Sequence, residues 1–231
     1  DETVRGRLAE AGRQWLTFKD QVIFEREEVL TGQNRPFTVF TPYKNAWLKQ
    51  LTAFDLKPYP VESYANHLAT LPPGLDRALP TLDQLGFAPS NLAELSLPTG
   101  MSGAQRLLDD FMTRIDSYQD RRDFPAVKGP SYLSMHLRFG TVSIRTLARF
   151  AHESSLQPDG QGSATLLSEL IWRDFYFMIL AHHPKLAAGA SFKEEYERLR
   201  WEQGPAADEA YAAWCDGRTG YPLVDAAMLQ L

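Results

Sequence analysis

Leu166-Leu167-Ser168-Glu169-Leu170-Ile171-Trp172-Arg173-Asp174-Phe175-Tyr176, wound as a helix, presents two different faces. Leu167, Leu170, Ile171, Phe175, Met178 and Ile179 recur at three- and four-residue intervals, the spacing of a stripe that a helix buries. Glu169, Trp172, Arg173 and Tyr176 stand at i, i+3, i+4 and i+7, so a carboxylate, an indole, a guanidinium and a phenol share a second stripe. That stripe suits a wet cleft with a polar ligand. It also suits a core helix in which Glu169 and Arg173 form an i,i+4 pair and Trp172 packs on a neighbouring helix. The spacing leaves both readings open.

Around this stretch the pattern is helical. From about residue 100 onward, helices are predicted over residues 104–114, 143–152, 163–182, 192–201 and 205–215. Pro205 after Gly204 suits a first helical position, Asp208 and Glu209 sit early where the dipole favours anions, and Gly217 closes that helix. A further helix starts at Pro222 and is expected to run through residue 231. Toward the other end, Val4, Leu8 and Ala11 suggest an amphipathic helix, while residues 15–18 and 21–24 have the apolar and aromatic character of strands, as in the tail of an α/β unit. Residues 43–51 are predicted helical, with Ala46, Trp47, Leu48 and Leu51 supplying apolar contact. Pro58, Pro60, Pro72, Pro73, Pro80, Pro89 and Pro98 then rule out long regular elements and read as an ordered connection. The expected organisation is an α/β remnant over residues 1–42, a linker over residues 43–100 and a helical domain over residues 101–231.

With 231 residues and 44% hydrophobic content the chain can build a real core. No run approaches the roughly 18 apolar residues of a membrane span. Asp1, Glu2 and Thr3 carry neither a start methionine nor a signal-peptide pattern, and no stop signal follows Leu223, so the chain reads as a piece of a longer protein. Cys215 is the only cysteine, which leaves no disulfide and no thiolate cluster and fits a reducing, cytoplasmic setting. His182 and His183 are adjacent, about 100° apart on a helix, with no further ligand at metal spacing, so no metal is expected. The net charge of -5 argues against a protein that coats nucleic acid through overall charge. Between Arg114 and Arg149, however, seven basic residues face three acidic ones, either a track for a phosphate backbone or a solvated face.

Two smaller constellations point to anions. Gly129-Pro130-Ser131 forms a turn in which Ser131 is a natural N-cap, and free amides joined by the hydroxyls of Ser131 and Ser134 could hold a pyrophosphate; plain capping explains the same residues. Tyr118 and Arg122 lie one helical turn apart before the Asp123-Phe124-Pro125 break, a pair suited to a nucleotide or a DNA phosphate, or to an ordinary surface cation and aromatic contact.

Tyr118, Arg122-Asp123-Phe124-Pro125, Ser131-x-Leu133-Ser134, Leu137-Arg138-Phe139-Gly140, the block from Glu169 to Tyr176, and Gly217-Arg218-Thr219-Gly220-Tyr221-Pro222-Leu223-Val224-Asp225-Ala226-Ala227-Met228 together resemble the photolyase/cryptochrome family. Val39-Phe40-Thr41-Pro42-Tyr43-Lys44-Asn45-Ala46-Trp47-Leu48 is most similar to the class I cyclobutane-pyrimidine-dimer photolyases within it. The resemblance implies an α/β antenna domain of Rossmann-like type, a long linker and a mostly α-helical FAD-binding domain. It implies light-driven repair of cyclobutane pyrimidine dimers in UV-damaged DNA by electron transfer from reduced FAD, performed by a monomer away from membranes. A cryptochrome-type blue-light photoreceptor is the alternative.

Carried over residue by residue, the resemblance assigns Tyr118, Ser131, Leu133, Ser134 and Arg173 to FAD. Glu169 and Trp172 would contact the flipped dimer and serve catalysis, Arg122 would grip DNA beside the lesion, and Trp201 would end an electron relay to the flavin. A second antenna chromophore, of folate or deazaflavin type, is also implied. Pro130 stands where many members have Thr, Leu166 where some have Trp, and Leu229 where Arg is common. The chain ends before the segments that complete the family's flavin pocket.

Overall fold

A computed structural model describes residues 1–74, 79–89, 91 and 94–230. Among the described residues nine α-helices follow one another: α1 (Glu2–Glu10), α2 (Phe40–Gln50), α3 (Gly100–Met112), α4 (Tyr118–Arg121), α5 (Ser134–Phe139), α6 (Ile144–Ser155), α7 (Gln161–His182), α8 (Pro205–Cys215) and α9 (Pro222–Gln230). Two compact units emerge, Asp1–His182 and His183–Leu231.

α7 is the spine of the first unit, with α6 packed along it and α2 and α4 also against it. Leu167, Leu170, Ile171, Phe175, Met178 and Ile179 are all buried, as their spacing predicts. Each such side chain is worth about 1.5–3 kcal/mol on full burial, so this stripe outweighs any single polar contact in the unit. On the facing helix, Ile144, Leu147, Ala148 and Ala151 are buried. The small side chains of Ala148 and Ala151 let the two helices approach closely. At the start of α7, a Cβ on Gly162 would overlap the carbonyl oxygen of Ile115 and stand 3.2 Å from Asp116 Cα, so only glycine lets α7 press against the 3-10 turn Ile115–Ser117.

The strands predicted for residues 15–18 and 21–24 do not form, and no strand occurs among the described residues. The N–H groups of Ile23 and Phe24 find a different acceptor: both donate to Asp174 Oδ2 of α7, at 3.1 Å each. Trp47 Nε1 of α2 donates to the same oxygen at 3.0 Å. Val22, Ile23 and Phe24 are therefore buried as a loop tied to a helix, so apolar and aromatic composition was a poor guide to pairing here. Trp15, Leu16 and Phe18 stay exposed.

Three other expectations change. α2 begins three residues early, with Val39 as N-cap and Pro42 in its first turn, where a missing N–H costs nothing. α5 begins at Ser134 with Leu133 as N-cap, so Ser131 is not the cap; its hydroxyl oxygen instead accepts the Leu133 N–H at 3.3 Å, closing a side-chain turn ahead of the helix. In the second unit, the helix expected over residues 192–201 shrinks to the 3-10 turn Glu194–Arg198, upstream of which the Glu197 carboxylate accepts the Ser191 N–H. α8 starts at Pro205 as predicted. Asp225 then organises the entry to α9, accepting from the N–H and hydroxyl of Thr219 at 2.7 and 2.6 Å. The helix expected through residue 231 is seen as Pro222–Gln230, and residue 231 itself lies outside the described residues. Among the described residues no helix is long and apolar enough to cross a membrane.

Candidate functional site

Glu169 and Arg173 do not form the i,i+4 pair that a plain core helix would use. Arg122 Nη1 donates to Glu169 Oε1, and the same guanidinium lies 5.7 Å from the Tyr118 ring centroid. Tyr118, Arg122 and Glu169 thus form one cluster built by α4 and α7. Both charged side chains remain about a third exposed, so the pair contributes under about 1 kcal/mol to stability. Its use is orientation: among the described residues Glu169 Oε2 has no hydrogen-bond partner, which leaves it available to a ligand. The Glu169 contact holds the Arg122 pKa above its ordinary value. Burial raises the Tyr118 pKa, partly offset by the Arg122 charge, and the Tyr118 ring packs edge-on against Phe111.

Arg122 and Glu169 border a cavity of about 370 Å³ whose wall also includes Lys44, Gln119, Gln161 and Ser168. Lys44 Nζ donates to Ser168 Oγ at 3.1 Å, fixing a second cation on the rim. One turn along α7, Trp172 stacks face to face on Phe40, with centroids 3.5 Å apart and planes 7° apart. Tyr176 lies 5.4 Å from it, near parallel, and Phe175 approaches edge-on. Tyr176 is 61% exposed, so the acidic and aromatic edge of α7 is open rather than sealed among aliphatic neighbours.

Arg173 turns elsewhere. It donates to the Gln21 carbonyl and, at 3.4 Å, to the Leu137 carbonyl, and lies 4.7 Å from the Phe177 centroid. Burial pushes its pKa below the ordinary value. Ser131, Leu133 and Ser134 are connected to the Tyr118 cluster through Gly129, where a Cβ would overlap the Arg121 carbonyl oxygen and stand 3.0 Å from Arg122 Cα. The seven basic residues between Arg114 and Arg149 do not make one track, since Arg114, Arg122 and Arg145 are taken up internally; Arg145 is buried 5.0 Å from the Tyr59 ring centroid. Trp201 belongs to the second unit and is 77% exposed.

Phe40, Lys44 and Asp174 had no assigned role in the sequence, although one signal was present. Asp174 sits between Ile171, Phe175 and Met178 on the apolar stripe, a position where a carboxylate must be buried and must find donors. Phe40 and Lys44 lie inside the motif over residues 39–48, but nothing local to them indicates a partner on α7.

The profile of the family described as DNA photolyase matches residues 1–63, and that described as the FAD binding domain of DNA photolyase matches residues 166–231, together more than half of the chain. The chain is 36% identical to a deoxyribodipyrimidine photo-lyase of Vibrio cholerae, over 100% of this chain and 48% of the relative. It is 35% identical to that of Escherichia coli K12, over 93% of this chain and 44% of the relative. With the one from Halobacterium salinarum it shares 34% identity, over 100% of this chain and 47% of the relative. The chain therefore spans about half the length of the curated relatives it matches. Among solved structures, a bacterial class III photolyase from Agrobacterium tumefaciens superposes with a TM-score of 0.78 at 24% identity, covering 100% of this chain and 47% of that one, which shows a shared fold.

Proposed function

Because the chain belongs to the DNA photolyase family, we propose that it is the part of a light-driven enzyme that binds FAD and splits cyclobutane pyrimidine dimers in UV-damaged DNA. The observation that carries this function is the Arg122–Glu169 pair on the rim of a cavity of about 370 Å³, with the Trp172 stack one turn away. The relatives, all deoxyribodipyrimidine photo-lyases by name, favour repair over the photoreceptor alternative.

The residues present fit FAD by the chemistry of their donors. Ser131 uses its oxygen to accept from Leu133, so its hydroxyl hydrogen is free to donate, and Ser134 opens α5 beside it. Hydroxyl and amide donors of this kind suit a diphosphate. Tyr118 offers an aromatic ring packed on Phe111, and the half-buried Arg173 charge would be compensated by an anionic partner. Tyr118, Ser131, Leu133, Ser134 and Arg173 are thus the residues that would hold the cofactor. When bound in its reduced form, FAD supplies the photoexcited electron that opens the cyclobutane ring and recovers it afterwards.

The protein's own part is recognition. Extruding a dimer costs a few kcal/mol, less than for intact pairs, and an aromatic surface offsets that cost. Phe40 keeps the Trp172 ring in one plane, presenting an indole edge to an everted base. Glu169, oriented by Arg122, offers Oε2 as an acceptor to a pyrimidine N–H, a bond that fixes the orientation of the everted base. Arg122, whose guanidinium is still partly exposed beside Glu169, and Lys44 line the same cavity and would meet the phosphates that flank the lesion. Phe40, Phe175 and Tyr176 all pack on the Trp172 ring and hold it in place. Trp201 ends an electron relay, a second chromophore of folate or deazaflavin type serves as antenna, and the enzyme acts as a cytoplasmic monomer. The likeness of the motif over residues 39–48 supports a class I enzyme.

Illuminating the full-length enzyme, reduced and flavin-loaded, with a dimer-bearing oligonucleotide should restore the absorbance of intact thymine; no recovery rejects repair. Edge-on aromatic contacts are worth about 0.5–1.5 kcal/mol, so Trp172→Ala should lower the preference for damaged over undamaged DNA by up to about tenfold while flavin content stays near wild type. Equal loss of lesion preference and flavin would put Trp172 in the core instead.

A further inference from the structure

Arg114 gathers the segment that leads into the Ser131 turn. Its Nη1 donates to the carbonyls of Lys128 at 3.0 Å and Gly129 at 2.7 Å, and its Nη2 donates to the Pro130 carbonyl at 2.9 Å. Nη2 also reaches Asp110 Oδ2 at 3.1 Å, and Asp110 Oδ1 takes Lys128 Nζ at 2.7 Å. One guanidinium therefore binds three successive carbonyls while its charge is matched by a carboxylate from α3. Those contacts hold the Asp110 pKa below its ordinary value, the Lys128 bond contributing most. The ring centroids of Phe111 and Tyr132 lie 5.1 and 6.0 Å from the same group.

Peptide planarity turns this clamp into an aiming device. A carbonyl and the next residue's N–H lie in one plane and point opposite ways. Of the three clamped planes, one carries the Gly129 N–H, which donates to Val127 O at 2.7 Å, and one has no N–H because its nitrogen belongs to Pro130. The third carries the Ser131 N–H, which has no backbone partner among the described residues. Fixing the Pro130 carbonyl toward Arg114 thus directs one free amide away from it, beside the Ser131 hydroxyl. Tyr132 follows in a left-handed conformation, φ 56°, which turns the chain sharply into α5.

We infer that Arg114 is a positioning residue for diphosphate recognition: by holding the carbonyls of residues 128–130 it aims the Ser131 N–H and hydroxyl at the diphosphate of the flavin nucleotide. The inference rests on the FAD function proposed above. A lysine at this place keeps the charge, but its ammonium lacks the planar fork that spans three carbonyls and a carboxylate.

The test uses the intact protein and two probes, FAD and riboflavin, which share the isoalloxazine but differ in the diphosphate and the adenosine it carries. Arg114→Lys and Arg114→Ala should weaken FAD binding by about tenfold, the equivalent of one or two well-placed hydrogen bonds, and change riboflavin binding by less than about twofold. Amide hydrogen exchange should rise over residues 131–134 in both variants and stay unchanged along α6 and α7. Equal losses for both probes would make Arg114 a merely structural residue and overturn the inference, as would an Arg114→Lys protein with wild-type FAD affinity. If the wild-type protein binds FAD no better than riboflavin, the diphosphate reading itself fails, an outcome distinct from a wild-type preference that survives loss of Arg114.

Discussion

Replacing Asp174 by Asn removes a buried negative charge yet keeps an oxygen able to accept from Ile23, Phe24 and Trp47. In the wild-type protein, burial pushes the Asp174 carboxyl up to about 6, against the pull of its three hydrogen bonds and of Arg173. The unfolded chain titrates the same group near its ordinary value, so between the two values the folded state holds more protons. Unfolding free energy therefore falls as pH rises through that window and levels off above the folded pKa. About two pKa units set a ceiling of about 3 kcal/mol. Roughly 2 kcal/mol of it lies between about pH 4 and about pH 7, because the unfolded acid is already partly ionised at the lower value. Asn does not titrate, so Asp174→Asn should gain about 2 kcal/mol relative to wild type over that range, other groups cancelling in the difference. Urea unfolding at the two pH values, followed by tryptophan fluorescence, measures the gap. A difference constant to within about 0.5 kcal/mol, a third of one pKa unit, would refute the argument and show that Asp174 Oδ1, which has no partner among the described residues, is solvated after all.

Gly162→Ala should cost more than about 2 kcal/mol, because the added methyl meets the Ile115 backbone rather than a movable side chain; thermal unfolding checks this, and an unchanged midpoint would mean that α7 can back away freely. Trp201→Phe should slow photoreduction of oxidised flavin in the loaded protein but spare repair by protein reduced beforehand. Transient absorption distinguishes the two, and unaltered photoreduction removes Trp201 from the relay.

The buried stripe of α7 was legible because its period matches the helix over 22 residues, and α8 because Gly204 and Pro205 mark its start. Residues 21–24 were misread for a specific reason. Strand-like composition shows that a segment wants burial and acceptors for its N–H groups, but does not say whether the acceptor is another strand or, as here, one carboxylate on a helix. The likeness of residues 169–176 to a binding edge was visible, yet Arg122 as the partner of Glu169 was not, since the two are 47 positions apart and an i,i+4 arginine offered a nearer choice. Arg114 was equally hidden. In a tally of charges it counts once, whereas its role depends on three backbone oxygens that composition does not contain.

Arg173 and Asp174 grip the same short loop with opposite chemistry, the first donating to the Gln21 carbonyl and the second accepting from Ile23 and Phe24. Neighbours on a helix point about 100° apart, so two such grips act as a spline that keeps the rod from spinning. The angular setting of Glu169 and Trp172 is thereby fixed from a place neither touches. A substitution in the loop could then detune how an everted base is received, leaving every atom that meets it chemically intact.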